Sequence, residues 1–148
     1  EKELEKEILL KLEAFLREMG GMFAFIGSQY RIQVEDEEYF IDLLLFHRAI
    51  NCLIAVELKI GKFLPEYIGK MQFYLALLDD FVKQPHENPS IGIILCKSRN
   101  KTIVEYALRE SSKPIGVAEY KIVSTLPEKF KGKLPSPEEI AKLLEEIE

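Results

Sequence analysis

The sequence predicts an α/β domain: a mixed central sheet flanked by helices, with an α-β-β-β-α-β core. Three observations carry that expectation. Runs rich in aromatic and branched residues fall at 23–34, 39–46, 52–60 and 90–97, each short enough for a strand. Segments with apolar residues at three- and four-residue spacing lie before and between them, at 3–19 and 65–82. A length of 148 residues, with 47% hydrophobic and 30% charged side chains, is that of one globular domain rather than two or a disordered chain.

Taken in order, Leu4, Ile8, Leu12, Phe15, Leu16 and Met19 form one helical face, and Gly20-Gly21 supplies a stop. FAFIGSQYRIQV (23–34) alternates as a strand does, and the acidic cluster Glu35 to Glu38 is the expected hairpin turn. YFIDLLLF (39–46) and CLIAVELKI (52–60) are the second and third strands, joined by HRAIN. Residues 60–64 read as a loop ahead of Pro65, which suits the first turn of a helix running to about Val82. A polar loop bracketed by Pro85 and Pro89 leads to the strand SIGIILCK. A helix over 101–109 and a strand over 116–122 follow. Residues 127–148 form a basic, proline-bounded linker and a helix opened by Ser136-Pro137-Glu138-Glu139. The domain is thus expected over 1–126, with 127–148 as linker and C-terminal helix.

The composition excludes some classes of function. A net charge of −5 argues against binding nucleic acid through bulk positive charge. No apolar stretch is long enough for a membrane span, and the charged N-terminus has no signal-peptide layout, so the expected location is cytoplasmic. Cys52 and Cys96 sit in apolar runs and read as buried thiols. No zinc-ligand spacing, P-loop, GxGxxG or GxSxG is present.

The chemistry lies in three isolated charges. Asp42 is the one charge in YFIDLLLF, where both strand faces look buried, and Glu57 and Lys59 are the only charges in CLIAVELKI. Burying a carboxylate costs several kcal/mol unless it is paired, hydrogen-bonded or bound to a cation. Glu57 and Lys59 are two apart and share a strand face, and neighbouring strands bring Asp42 beside them. Such a site suits a hard divalent cation held by Asp42, Glu57 and the backbone carbonyl of Leu58. Lys59 then contacts the attacking water or a phosphate oxygen, and the cation neutralises developing charge. The alternative reading of the same residues is an internal Glu57–Lys59 ion pair bridged by Asp42.

Asp42, fourteen intervening residues and Glu57-Leu58-Lys59 fit the D-x(n)-E-x-K pattern of the PD-(D/E)xK nuclease superfamily, and the element order fits as well. Within it, FAFIGSQYRI, YFIDLLLFHR, CLIAVELKIGKFLPEYIGKMQFYL, NPSIGIILCKS, VEYAL and KPIGVAEY resemble the C-terminal domain of YhcG-type nucleases over about two thirds of the chain. Family members often carry arginine where this chain has Ser28.

The resemblance implies a restriction-endonuclease-like fold in which the aspartate closes the second strand. It also implies a nuclease using Mg²⁺ or Mn²⁺ on DNA, with Asp42, Glu57 and Lys59 catalytic. Related nucleases often place a glutamate where Glu18 ends the first helix, as a water-mediated metal contact; a solvated carboxylate is the alternative there. Some relatives order the site with a Gln or Tyr on the following helix, which points to Gln72, with Tyr74 read as core. Lys62, Lys70, Lys97, Arg99 and Lys101 are candidates for a rim along the phosphate backbone. In full-length members an N-terminal helical region precedes this domain, so a longer parent protein is expected, and a homo-oligomer is open. The competing function is a catalytically silent nucleic-acid-binding or assembly module on the same fold.

Divided by segment, the acidity weighs less. Residues 1–19 and 127–148 each carry six acids and four bases, leaving 13 acids and 12 bases in 20–126. Two of those acids are the expected metal ligands, so a bound divalent cation brings this core to a net positive charge.

Overall fold

The computed structural model describes Lys6, Leu10 and residues 23–119. Strands β1 (Phe23–Val34), β2 (Glu37–His47) and β3 (Cys52–Lys62) form an antiparallel meander. Helix α1 (Glu66–Leu77) continues as a π-helical turn over Leu78–Val82 and leads to β4 (Asn88–Ser98), parallel to β3. Helix α2 (Lys101–Arg109) leads to β5 (Ile115–Glu119), parallel to β4. The sheet order is β1-β2-β3-β4-β5. Apart from Lys6 and Leu10, which are helical, the expected helix over 3–19 with Gly20-Gly21 and Glu18, the end of the 116–122 strand, and the linker and helix over 127–148 lie outside the described residues.

Several boundaries move for identifiable reasons. The first hairpin turn is Glu35-Asp36 alone, with Glu35 in the left-handed region at φ 56°. Glu37 and Glu38 join β2, where Glu38 pairs with Arg31 across the hairpin. The third strand runs past Ile60 to Lys62 because β4 remains beside it, Lys62 facing Ser98. Helix α1 loosens at Leu78, and Lys83 N–H reaches back five residues to the Leu78 carbonyl (2.8 Å). Within that turn Asp79 accepts from Ser90 N–H at 3.0 Å and meets Lys113 Nζ at 3.5 Å, tying the helix end to β4 and to the approach to β5. Asn100 caps α2 through its side chain, accepting from Ile103 N–H.

The core explains why the middle strands read as unbroken apolar runs. One sheet face, with Leu44, Leu53, Ala55, Ile94, Cys96 and Val117, packs under Ile68, Met71, Tyr74 and Leu75 of α1 and Val104 of α2. On the other face Leu43, Leu45, Ile54, Val56, Leu58, Ile93, Leu95 and Ala118 are buried as well. Strands buried on both faces do not alternate. The second strand departs from this at its start, where Phe40 is 45% exposed; the expectation that YFIDLLLF is buried on both faces throughout is corrected there. Cys52 and Cys96 are buried free thiols, and burial raises both, Cys96 to about 12.

Gly92 marks the tightest contact between sheet and helix. A Cβ there would lie 2.6 Å from Met71 Cγ and 3.3 Å from Leu75 Cδ1. Met71 and Leu75 are themselves fully packed, so Gly92→Val is expected to destabilise by about 2 kcal/mol. A lowered denaturant midpoint at unchanged slope would show it, and a wild-type midpoint would refute the packing argument.

Candidate active site

The site forms where two strands part. The β2–β3 ladder runs from His47↔Cys52 to Leu43↔Val56 and stops. The next pair in that register is Asp42 opposite Glu57. Here side chains replace the ladder. The Asp42 N–H donates to Glu57 Oε2 at 2.9 Å, and the Leu58 N–H donates to Asp42 Oδ2 at 2.9 Å. Each carboxylate thus satisfies a backbone donor on the opposite strand that pairing has left behind. Beyond the fork β2 stays with β1 and β3 with β4, Glu57 facing Ile94 and Lys59 facing Cys96.

Asp42 therefore does not close the second strand, as the resemblance implied; it lies mid-strand, at the point where pairing to β3 begins. The strand also changes face there. Tyr39 and Ile41 before it, and Leu44 and Phe46 after it, all pack into the α1-side core, although their numbers differ in parity. Gln29, directly across β1, adopts φ 47°, a left-handed conformation rare for a non-glycine residue. Its Nε2 donates to Asp42 Oδ1 at 3.1 Å.

Electrostatically the site is short of positive charge. Glu57 is 5% exposed, and its carboxyl is pushed up to about 7, first by burial and then by the neighbouring Asp42. The hydrogen bond from the Asp42 amide and the more distant Lys59 and Lys70 ammoniums pull the other way without cancelling the rise. Among the described residues no ion pair joins Lys59 to either carboxylate; its Nζ sits 4.8 Å from the centre of the Tyr67 ring, on α1. The internal ion pair that the sequence left open is therefore not formed. Two carboxylates that repel each other, with hard oxygen donors and, among the described residues, no ammonium within ion-pair reach, suit a divalent cation. Among the described residues no cluster of three or more His, Cys, Asp or Glu side chains is arranged to hold a metal, so backbone oxygen and water would complete the shell of any ion between Asp42 and Glu57.

The remaining candidates divide between two places. Tyr74 is buried in the core and close enough to feel the site: burial first, then Glu57 and Asp42, raise its hydroxyl to about 12. Lys70, one turn earlier, lies 5.5 Å from the Tyr74 ring. Gln72, on another side of α1, is half-buried and makes no side-chain hydrogen bond among the described residues. Lys62, Lys97, Arg99 and Lys101 stand instead at the C-terminal ends of β3 and β4 and the start of α2. Gln29 and Tyr67 went unremarked in the sequence. A polar residue in a predicted strand, placed opposite Asp42 by the hairpin register, was the available signal for Gln29.

An antiparallel meander, a crossover helix and a parallel strand, with paired carboxylates at the fork, make up a restriction-endonuclease-like PD-(D/E)xK fold. A family model described as the YhcG PDDEXK nuclease domain matches residues 1–135, and the chain belongs to that family. The YhcG protein of Escherichia coli (strain K12) is 37% identical over 122 residues, 82% of this chain. The chain spans about a third (32%) of that relative's length. Among solved structures, a repair endonuclease from Pyrococcus abyssi aligns with TM-score 0.52 and 14% identity, over 76% of this chain and 45% of that one. The EndoMS chain of an EndoMS–dsDNA complex aligns with TM-score 0.50 and 11% identity, over 74% and 44%. PD-(D/E)xK nucleases generally depend on divalent metal. Among the described residues no helix is long and apolar enough to cross a membrane.

Proposed function

We propose that this chain is a metal-dependent nuclease domain that hydrolyses phosphodiester bonds in DNA. The observation that carries the reading is the reciprocal fork, in which buried Glu57 and half-buried Asp42 face each other with, among the described residues, no ammonium within ion-pair distance. Asp42, Glu57 and the Leu58 carbonyl hold Mg²⁺ or Mn²⁺. When bound, the ion supplies charge stabilisation and a more acidic water. Lys59 orients the water for in-line attack on phosphorus, and the Tyr67 ring steadies its ammonium on the site's side of α1. Gln29 fixes the rotation of the Asp42 carboxylate through Oδ1, while Leu58 N–H fixes Oδ2. Lys70 lies close enough to Glu57 to lower its carboxyl's pKa, and serves as a phosphate contact there. Lys62, Lys97, Arg99 and Lys101 extend the phosphate rim along the ends of β3 and β4. Glu18 is retained as a water-mediated contact and Gln72 as a polar support. The double-stranded DNA bound in the EndoMS complex and the nuclease family to which the chain belongs favour this substrate. Location in the cytoplasm and a longer parent protein belong to the same reading.

Calorimetric titration with Mn²⁺, paired with cleavage assays on several DNA forms, tests it. Wild type is expected to bind metal and cut, Asp42→Asn to lose both, and Gln29→Leu to bind metal about tenfold more weakly. Metal binding that Asp42→Asn leaves intact, or equal inactivity of wild type and variant, would favour the silent binding module instead.

A further inference from the structure

A cleft of about 450 Å³ opens at the C-terminal ends of the parallel strands β3 and β4, where ligands of open α/β sheets commonly bind. Its walls combine cations with apolar surface: Lys62 and Arg99, and Phe63, Leu64, Pro65 and Ile103. The Phe63 N–H bonds the Ser98 carbonyl at 2.8 Å and so pins the two loops that form it. Ile103 is 45% exposed on the first turn of α2. Arg99 Nε is buried, with no hydrogen-bond partner among the described residues, and such a donor calls for a ligand or water. Lys97 and Lys101 flank Arg99, and the acid bonded at this edge is Glu119, which accepts from Arg99 N–H at 3.0 Å.

The cleft lies further along β3 from the fork, past Lys59. Lys59 and Phe63 are four residues apart along the chain, about 13 Å at strand rise. Between them the Tyr67 ring meets Lys59 Nζ on one side and the Phe63 ring at 6.1 Å on the other. One polymer strand reaches both places. A rim that gripped only phosphates would need no apolar wall, and a base stacked inside a duplex cannot enter a cleft. An unpaired nucleotide satisfies both halves of the lining, and the volume falls within the usual size of small-ligand pockets, about 300–1,000 Å³.

We propose that the cleft seats an unpaired nucleotide of the substrate strand, with its base against Leu64, Pro65 and Ile103 and its phosphate at Lys62 and Arg99. The preferred substrate therefore carries a single-stranded segment, such as an overhang, beside the cut. This rests on the nuclease reading and names its substrate class.

Fluorescence anisotropy of a labelled blunt duplex and of the same duplex with a single-stranded overhang, both in metal-free buffer, tests it. The overhang is expected to bind about tenfold more tightly. Ile103→Ala and Arg99→Ala should each remove most of that preference; Ile103→Ala should leave the blunt duplex unaffected, and Glu57→Gln should keep the preference. Equal affinity for the two forms, or a loss in Ile103→Ala that is the same for both, would overturn the proposal. Cleavage in Mg²⁺ or Mn²⁺ separates the two ideas. A protein that selects the overhang but cuts nothing contradicts the nuclease reading alone, and one that binds and cuts both forms alike contradicts the cleft alone.

Discussion

Glu57→Gln is expected to abolish metal-dependent cleavage and, in metal-free buffer above pH 7, to make the protein more stable than wild type. Both effects follow from one carboxylate placed where it is costly. Removing a metal ligand from a site that stabilises charge in the transition state should lower turnover roughly 10³-fold or more. The stability effect follows from proton linkage. Glu57 titrates at 4.5 in the unfolded chain and about 7 in the folded one. Between those values the native state holds the proton more tightly, so the contribution of this carboxyl to native stability is greatest below pH 4.5. It falls as pH rises through the window and levels off above it. The loss is on the order of 1–3 kcal/mol. Glutamine resembles the protonated acid and escapes that loss, so the two proteins should match near pH 4 and diverge towards pH 8. Added Mn²⁺ should reverse the order by stabilising only wild type. Denaturant melts at pH 4, 6 and 8, with and without metal, measure all of this. A variant less stable than wild type at pH 8 without metal would mean that Glu57 is compensated within the protein.

Lys59→Met is expected to lower turnover by roughly 10²–10⁴-fold while metal affinity stays within a few-fold of wild type. The reason lies in where its ammonium sits. Lys59 is on the same strand face as Glu57, but its Nζ rests on the Tyr67 ring rather than on a carboxylate, so it is free to engage water or a phosphate oxygen. A structural counter-ion would behave in the opposite way: its removal would leave two carboxylates less balanced, destabilise the metal-free protein, and shift metal binding at least as much as turnover. Single-turnover cleavage beside Mn²⁺ titration separates the two. A variant that keeps its cleavage rate but loses stability would assign Lys59 to the fold.

Much of this was legible in the sequence because burial leaves a mark on composition. Lone charges in YFIDLLLF and CLIAVELKI are visible since everything around them is apolar, and strand register then brings Asp42 to Glu57. The strands read well for the same reason: the central ones are apolar on both faces and are bounded by turn residues or proline. What the sequence hid depends on contacts between distant segments. The end of the β2–β3 ladder at Leu43↔Val56 is not marked in the sequence, because β2 stays paired to β1 and Tyr39, Phe40 and Ile41 just beyond the fork are apolar. Gln29 in a left-handed conformation cannot be foreseen, since glutamine carries no preference for it. The π-helical turn at Leu78–Val82, where Asp79 accepts from Ser90 N–H, likewise leaves no mark in the helix periodicity. Lys59 resting on Tyr67 was hidden too, and that placement decides against the ion pair.

The central claim, that Asp42 and Glu57 share one divalent ion, is tested most directly by anomalous diffraction from crystals soaked in Mn²⁺. A single anomalous peak in contact with both carboxylates, present in wild type and absent from Asp42→Asn, is the predicted result. A wild-type map with no peak at the fork, or with manganese bound only elsewhere, would contradict it.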